Sequence, residues 1–396
     1  MYFAVYSTVT SLPFCVAVFG TIMVSAIIYL KSFMNQPSTI PKLYFKESAL
    51  ASHLLKRCRL MDRKFDPPWY LRNAHIQTIL SSFILTDTST EFEREYLQMR
   101  DQGVVALDWA LHVSVHKKKC CSVFVILPGL TATAVNVSNL CTLAAHKGYR
   151  PVVFNQRGFG NSVLTTPKIL SNGDPHDLRQ VVKYIHSRYP KALVTMVGLG
   201  TGCSLLLSYL GEFGSSANIC AGVCISACFD SSRKLSKGVQ GIYDILELLA
   251  LKKALFVHSN SLSKYINFNE LFKCWSFRHF DELVYSKLYN FSTVDDFWDR
   301  NNPLRDVDEI AVPLLFINSL DDPFYSKISI PYDLFKYYPH FLMVCTNKGG
   351  HCGFIDNPCD VSWAEKLALD YLDTVLEFPN KGHTIKYGNC TVRSTI

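Results

Sequence analysis

The N-terminus of this sequence lacks charged residues. Residues 1–30 contain no Asp, Glu, Lys or Arg, and Lys31 ends the run. The stretch Ser11–Leu30 is long enough to cross a bilayer as one helix. A cleavable signal peptide ending near Ala26 is the rival interpretation, but no basic segment precedes the apolar run. We therefore predict a retained, single-pass membrane anchor at residues 1–30.

Cysteine pairs with metal-site spacing and long basic runs are also absent. The 14 cysteines include no C-x-x-C pair, so zinc and thioredoxin-type sites are not indicated. Cys220, Cys224 and Cys228 are spaced by four, but they fall in a strand-like run and are interpreted as buried hydrophobic residues. The net charge is +7, and no basic run is longer than Lys117–Lys119. We expect no metal, no cofactor and no nucleic-acid partner.

A third absence concerns one side chain in a strand–turn–helix motif. Residues 194–202 predict a β-strand that runs into the turn Gly198-Leu199-Gly200-Thr201-Gly202, and a leucine-rich helix follows. This layout is typical of the nucleophile elbow G-x-S-x-G of α/β-hydrolases. The central position, where the motif has its serine, is Gly200.

Alternating strand-like and helical segments predict the fold class. Short apolar runs predict strands that are buried on both faces: Val123–Leu127, Pro151–Asn155, Leu193–Gly198, Gly222–Ser226, Pro313–Asn318 and Phe341–Thr346. Helices are predicted between them: Asn136–His146, Asp174–Arg188, Thr201–Leu210 and Ser362–Leu376. The alternation indicates an α/β protein with a mostly parallel, doubly wound sheet.

The domain boundaries follow from where this alternation begins, pauses and ends. A linker without a clear pattern is predicted at residues 31–65, an α/β domain at 66–380 and a tail at 381–396. The aromatic-rich stretch from about 231 to 305 is too long for a simple connection. We interpret it as a helical cap over the carboxyl edge of the sheet, where ligands bind in open α/β folds.

Candidate catalytic residues follow the last two predicted strands. Asp321 and Asp322 end one strand, and His351 lies in a glycine-rich loop after the other. A nucleophile, an acid and a histidine occur in this order in α/β-hydrolases, where the acid orients the imidazole that carries the proton. Backbone N–H groups of Leu130 or Thr131, after strand 123–127, and of Thr201 are the candidate oxyanion donors.

Several segments of this chain resemble those of one known family. They are Asn73–Thr78 (N-A-H-x-Q-T, where the family has N-G-H-x-Q-T), Leu107–Trp109 (L-D-W), Pro128–Thr131 (P-G-L-T), Phe154–Gly158 (F-N-Q-R-G), Ser226–Asp230 (S-A-C-F-D) and Gly349–Phe354 (G-G-H-C-G-F). The chain is similar to the membrane-anchored α/β-hydrolase-domain proteins, the group of abhydrolase domain-containing proteins one, two and three. The resemblance implies an α/β-hydrolase fold with Asp322 as acid, His351 as base and Gly200 at the nucleophile position.

The family resemblance implies a serine esterase or lipase acting on acylglycerols or phospholipids, but two functions remain open. One is a lipid-binding or regulatory protein that has lost its nucleophile. The other is an active lipid-ester hydrolase that uses the Asp322–His351 pair to activate water, or whose serine is missing from this version of the sequence. Thr201, Cys203 and Ser204 are the nearest residues that could replace the missing nucleophile. The Thr201 side chain is expected to point away from the serine's direction, and those of Cys203 and Ser204 are expected to pack against neighbouring elements instead of facing the cleft.

Partners and location follow from the same features. A lipid or acyl ester is the expected ligand, and the N-terminal helix is the expected membrane contact. Lys31, Lys42 and Lys46 follow the span, which favours a cytosolic domain. The N-x-S/T sequons at Asn136, Asn290 and Asn389 would matter only in the opposite orientation. We expect the membrane to be an endomembrane such as the endoplasmic reticulum. The ending Ser394–Ile396 matches tails that PDZ-type domains accept. His75 is expected to be a buried histidine bonded to backbone or, alternatively, to shape the floor of the site.

Overall fold

The computed structural model describes residues 20–21, 23–25, 28, 40–83, 90–111, 122–129, 131–169, 171, 173–230, 239–357 and 360–378. The predicted anchor therefore lies almost wholly outside the described residues, as do Leu130 and the tail with its proposed PDZ-type ending. Within the described ranges, no helix combines the length and the apolar composition needed to cross a bilayer.

Nine strands form one sheet in the order β1-β9-β8-β7-β6-β4-β5-β3-β2. The strands are β1 (Lys42–Phe45), β2 (Glu91–Gln98), β3 (Val104–Leu111), β4 (Val123–Leu127), β5 (Arg150–Asn155), β6 (Val194–Leu199), β7 (Ala221–Ile225), β8 (Leu314–Ser319) and β9 (Phe341–Thr346). Strands β4 to β9 pair in parallel, whereas β1, β2 and β3 pair antiparallel at the two edges. The mostly parallel sheet and its six central strands are confirmed, with every bound within one residue of the prediction.

Helices cover both faces of this sheet. They are α1 (Ala49–Arg57), α2 (Ala74–Phe83), α3 (Ser138–His146), α4 (His176–Arg188), α5 (Thr201–Phe213), α6 (Val239–Val257), α7 (Ser259–Leu262), α8 (Phe268–Lys273), α9 (Phe277–Asp281), α10 (Lys287–Tyr289), α11 (Val294–Arg300), α12 (Tyr332–Tyr337) and α13 (Trp363–Leu376). Strand β4 shows why its apolar run is continuous. Val125 and Leu127 join the core on one face, and Phe124 and Ile126 join the core on the other.

The predicted cap is mainly helical in its described part and has a hydrophobic core of its own. Helices α6 to α11 and a π-turn at Glu282–Ser286 occupy residues 239–300. Leu251 and Leu255 of α6 pack with aromatic residues of the later cap helices, among them Phe280 and Phe297. The buried Lys252 amino group donates to the carbonyl oxygen of Phe272 at 3.2 Å, which ties α6 to the following segment.

The prediction of a pattern-free linker at residues 31–65 is wrong from Lys42 onward. Strand β1 pairs antiparallel with β9, and α1 packs against α13 with Leu54 buried. Ser48 caps α1 by accepting from the N–H of Ala51. The sequence signal was weak because β1 has only four residues and lies at an edge of the sheet. The α/β domain therefore begins at Lys42 instead of residue 66.

A buried ion network joins the β2–β3 hairpin to the central sheet. The Arg157 side chain, 2% exposed, donates from Nε and Nη2 to the carboxylate of Asp177 at 2.6 and 2.7 Å. Its Nη1 and Nη2 also donate to Asp101 at 2.8 Å. The guanidinium approaches Gly103 so closely that a Cβ there would lie 2.2 Å from Nη1. The Asp-x-Gly turn of the hairpin is thus shaped to receive Arg157.

Replacing this arginine should strongly destabilise the fold. Arg157→Met leaves Asp177 buried without its cation, and breaking a buried pair costs about 3–5 kcal/mol. We expect a loss of that size in the free energy of unfolding measured with urea. Arg278→Met is the matched control because it removes a bidentate contact to Asp295 on the surface, where solvent screens the charges. Equal effects of the two substitutions would contradict this role for burial.

Candidate active site

The turn between β6 and α5 brings a helix and a strand unusually close together. A Cβ on Gly202 would lie 2.0 Å from the carbonyl oxygen of Leu127, and one on Gly198 would lie 2.7 Å from the Cα of Cys203. Both glycines are therefore required by backbone contact and not merely by turn flexibility. This is the packing expected of the outer glycines in a nucleophile elbow.

Gly200, at the centre of the turn, is not required by packing. Its backbone has φ +54° and ψ −117°, a conformation that residues with a side chain rarely adopt. Such conformations are found at strained functional turns. A Cβ built here would lie 3.0 Å from His351 Nε2, 3.6 Å from its Cε1 and 3.8 Å from the Sγ of Cys352. Position 200 therefore faces the imidazole, and the side chain that would reach it is absent.

Asp322 and His351 lie together after β8 and β9. His351 Nδ1 donates to Asp322 Oδ2 at 2.9 Å, and Asp322 Oδ1 accepts from the N–H groups of Phe324 and Tyr325. Asp321 instead accepts from the N–H of Gly350 at 3.0 Å and holds the histidine loop. Of the two neighbouring aspartates, Asp322 is thus the one that contacts the imidazole.

Burial and charge act on the imidazole in opposite directions. Burial lowers the pKa of His351, but the charges of Asp322 and Cys352 and hydrogen bonds to both outweigh it. The pKa of His351 therefore lies well above its usual 6.5. The ring is held in place by Phe324, whose centroid is 4.5 Å away, and by Tyr325 at 5.3 Å.

Two hydroxyl side chains that we did not predict hold the histidine loop. Thr78 Oγ1 accepts from the N–H of His351, and Ser226 Oγ accepts from the N–H of Cys352, each at 2.9 Å. Gln77, next to Thr78 in α2, bonds both the N–H and the carbonyl oxygen of Ile355. The segments that carry Thr78 and Ser226 were part of the family resemblance, which was the available signal for these roles.

A family model described as the alpha/beta hydrolase fold matches residues 122–358. Protein ABHD15 of Homo sapiens is 35% identical over 355 residues, which cover 87% of this chain and 76% of that protein. The chain belongs to the α/β-hydrolase family.

Other relatives within the α/β-hydrolases have names that refer to lipids. Phospholipase ABHD3 of Homo sapiens is 26% identical over 374 residues, covering 91% of this chain and 90% of that protein. Monoacylglycerol lipase ABHD2 of Mus musculus is 25% identical over 376 residues, covering 87% and 88%. Both relatives are therefore similar to this chain over most of its length.

The predicted oxyanion donors of this α/β-hydrolase are only partly brought together. Thr201 is the first residue of α5, and its Oγ1 lies 3.9 Å from where a Cβ of Gly129 would stand. The loop after β4 therefore abuts the elbow at Gly129. Thr131 follows in an exposed turn, and Leu130 is outside the described residues.

The predicted positions of the side chains near the elbow are correct for some residues and wrong for others. Cys203 is buried and donates to the carbonyl oxygens of Gly198 and Ile225, so its expected place in helix packing is confirmed. The expectation for Ser204 is wrong, because this half-buried residue faces a pocket beneath the cap. Cys220 and Cys224 are buried as predicted, whereas Cys228 is half-buried.

The pocket beneath the cap extends from the elbow and contains about 660 Å³ of empty space, partly open to solvent. Its lining combines the start of α5 with aromatic residues of the cap: Thr201, Ser204, Phe280, Tyr285, Phe297 and Trp298. Tyr325, which contacts His351, also lines it. The pocket therefore lies next to the candidate catalytic residues and has a mixed polar and aromatic lining.

His75 connects the cap to the rest of the domain. Its Nδ1 shares a hydrogen bond of 2.8 Å with the Tyr243 hydroxyl, and the two rings stack at an angle of 12°. Tyr243 in turn contacts Phe324, which packs on His351. The expected bond from His75 to backbone is thus replaced by a bond to a cap side chain.

Among the residues that the structure describes, no group of three or more acidic, histidine or cysteine residues could hold a metal ion.

Removing the Asp322 charge should change both the pKa of His351 and the pH dependence of stability. A raised pKa in the folded state adds stability that is fully present below the unfolded pKa of about 6.5 and is lost as pH rises through the folded value. Asp322→Asn should lower the pKa of His351. The stability gap between the two proteins should be largest near pH 6 and should shrink as pH rises.

Histidine NMR titration and urea unfolding at several pH values measure these two effects. His340 is an internal control, because burial lowers its pKa independently of Asp322. The resonance of His340 should titrate identically in both proteins. An unchanged pKa of His351 in Asp322→Asn would show that the aspartate does not control the imidazole.

Proposed function

We propose that this protein binds acyl lipids in the pocket beneath its cap without carrying out serine-ester hydrolysis. The observation that carries the proposal is Gly200, which stands at the elbow facing His351 with no side chain to attack an ester. Hydrolysis through a covalent serine intermediate requires that side chain. Without it, only the weaker effects of the remaining groups persist, about 10³–10⁴-fold over water.

The pocket supports a lipid as the ligand. Aromatic rings from the cap line the pocket, and Thr201 and Ser204 of the elbow are among its polar lining residues. An acyl chain would bury apolar surface against the rings, while its ester group would lie near Thr201. The names of two relatives, a phospholipase and a monoacylglycerol lipase, support the same ligand class.

A second candidate function is hydrolysis by direct activation of water. The observation that favours it is the intact bond between Asp322 and His351 beside the space that the missing side chain leaves. An imidazole oriented by a carboxylate can act as a general base toward water. His351→Ala would abolish such turnover, whereas it should leave lipid binding beneath the cap intact.

Restoring the serine should restore the reactivity of a serine hydrolase. In Gly200→Ser the new Cβ has room once the imidazole shifts by a few tenths of an ångström, since its tightest neighbour is a side chain. We expect a fluorophosphonate probe to label residue 200 of this variant and to leave the wild-type protein unlabelled at the elbow. Labelling is located by peptide mass spectrometry.

Two controls make this experiment decisive. Gly200→Ala adds the same Cβ without an oxygen and should remain unlabelled. Gly200→Ser with His351→Ala has the oxygen without its base and should react at least about 100-fold more slowly. Labelling of the wild-type protein on another serine, lost in His351→Ala, would overturn the proposal.

We further propose that the protein acts on a membrane surface, held by residues 1–30, with the endoplasmic reticulum as its compartment. The uncharged run supports this placement. Only residues 31–41 separate the run from β1, a tether of about 40 Å at most. Exposed apolar residues on the cap helix and on α2, which meet at the His75–Tyr243 contact, would then face lipid: Ile76, Ile79, Ile242, Ile245, Leu246 and Leu249.

Flotation with phosphatidylcholine vesicles tests both parts of this placement. The full chain should float with the vesicles, and a chain lacking residues 1–30 should bind them weakly through the exposed apolar residues. Ile242→Asp with Leu246→Asp should abolish that remaining binding. Tyr96→Asp, an exposed position on edge strand β2, is the control and should change nothing. Full flotation without residues 1–30 would contradict the anchor.

A further inference from the structure

The space left at Gly200 is bordered by two reactive groups instead of one. The point where a serine Cβ would stand lies 3.0 Å from His351 Nε2 and 3.8 Å from the Sγ of Cys352. Contact between these two side chains contributes to raising the pKa of His351 above its usual value. A thiol, an imidazole and the carboxylate of Asp322 therefore form one continuous cluster.

The backbone holds the thiol in this position. Cys352 has φ +54°, a left-handed conformation that is uncommon for residues other than glycine. The turn lets consecutive side chains, His351 and Cys352, both approach Gly200. Hydrogen bonds from Thr78 and Ser226 to the two successive N–H groups fix the turn.

We propose that Cys352 is a nucleophile of this site, and that its thiol accepts an acyl group from a carboxylic ester held beneath the cap. His351 takes the thiol proton, and the sulfur attacks the ester carbonyl carbon. The bond from that carbon to the alcohol oxygen then breaks, and the leaving alkoxide receives the proton from the imidazolium. The products are a free alcohol and a thioester on Cys352, with no oxidant or reductant involved.

The surroundings of the thiol favour this step. The thiolate is the attacking form of cysteine, and a neighbouring imidazolium stabilises it. Helix α5 begins at Thr201, so the positive end of its dipole lies beside the vacated position where negative charge develops on the carbonyl oxygen. Cys352 is half-buried, so its side chain is not sealed in the core. Cys203, by contrast, is buried, and this burial is the main reason why its pKa lies well above its usual value.

Acylation of the full-length protein by a p-nitrophenyl acyl ester tests the proposal. We expect a stoichiometric burst of p-nitrophenolate and a mass increase of one acyl group on the peptide that contains Cys352. Cys352→Ala should lose the burst. His351→Gln should slow it by about 10²–10⁴-fold, since the proton transfers are lost. Cys228, also half-buried, is the internal reference and should be acylated at least about tenfold more slowly in the wild-type protein.

The proposal rests on the proposed function only in that the acyl group enters the same pocket. A fluorescent lipid probe measures that binding separately in the wild-type protein and in Cys352→Ala. Probe binding without acylation of Cys352, or acylation that is unchanged in His351→Gln, would overturn the thiol nucleophile and leave lipid binding standing. Failure of the probe to bind the wild-type protein would instead overturn the proposed function. Retained probe binding by Cys352→Ala shows that this variant is folded.

Discussion

The close contact between the start of α5 and strands β4 and β6 is the constraint on which the site depends. No Cβ fits at Gly198 or Gly202, so the backbone at the elbow is determined by packing and does not require a serine. The turn therefore keeps its shape with glycine at position 200, and the carboxyl edge of the sheet, the cap and the Asp322–His351 pair are arranged around it. A glycine at position 200 is for this reason compatible with retention of the scaffold.

The second organising feature is the way in which distant segments support one loop. Residues 349–354 lie far in sequence from Thr78 and Ser226, yet both hydroxyls bond to the N–H groups of the loop. Gln77 and Asp321 hold its two sides. Such convergence is what a site needs in order to place an imidazole to within a fraction of an ångström. The loop is thus far better supported than an ordinary surface connection.

Fold class and the Asp322–His351 pair could be predicted because each depends on local pattern. Apolar runs mark strands that are buried on both faces, and strand ends in a parallel sheet meet at one edge. Strand β1 was missed because four residues at an edge give little pattern. Helix α1 was assigned to the predicted linker together with it. The bond of His75 to Tyr243 and the place of Cys352 depend on contacts between segments remote in sequence, which periodicity does not report.

The path from His75 through Tyr243 and Phe324 to His351 couples the seating of the cap to the chemistry of the imidazole. A ligand that lifts α6 from α2 must break the Tyr243 contact and loosen the ring that packs on the histidine. Cap position and proton affinity are then linked equilibria, and each must influence the other by the same free energy. A ligand that displaced Tyr243 would therefore change the proton affinity of His351 even if no bond were cleaved.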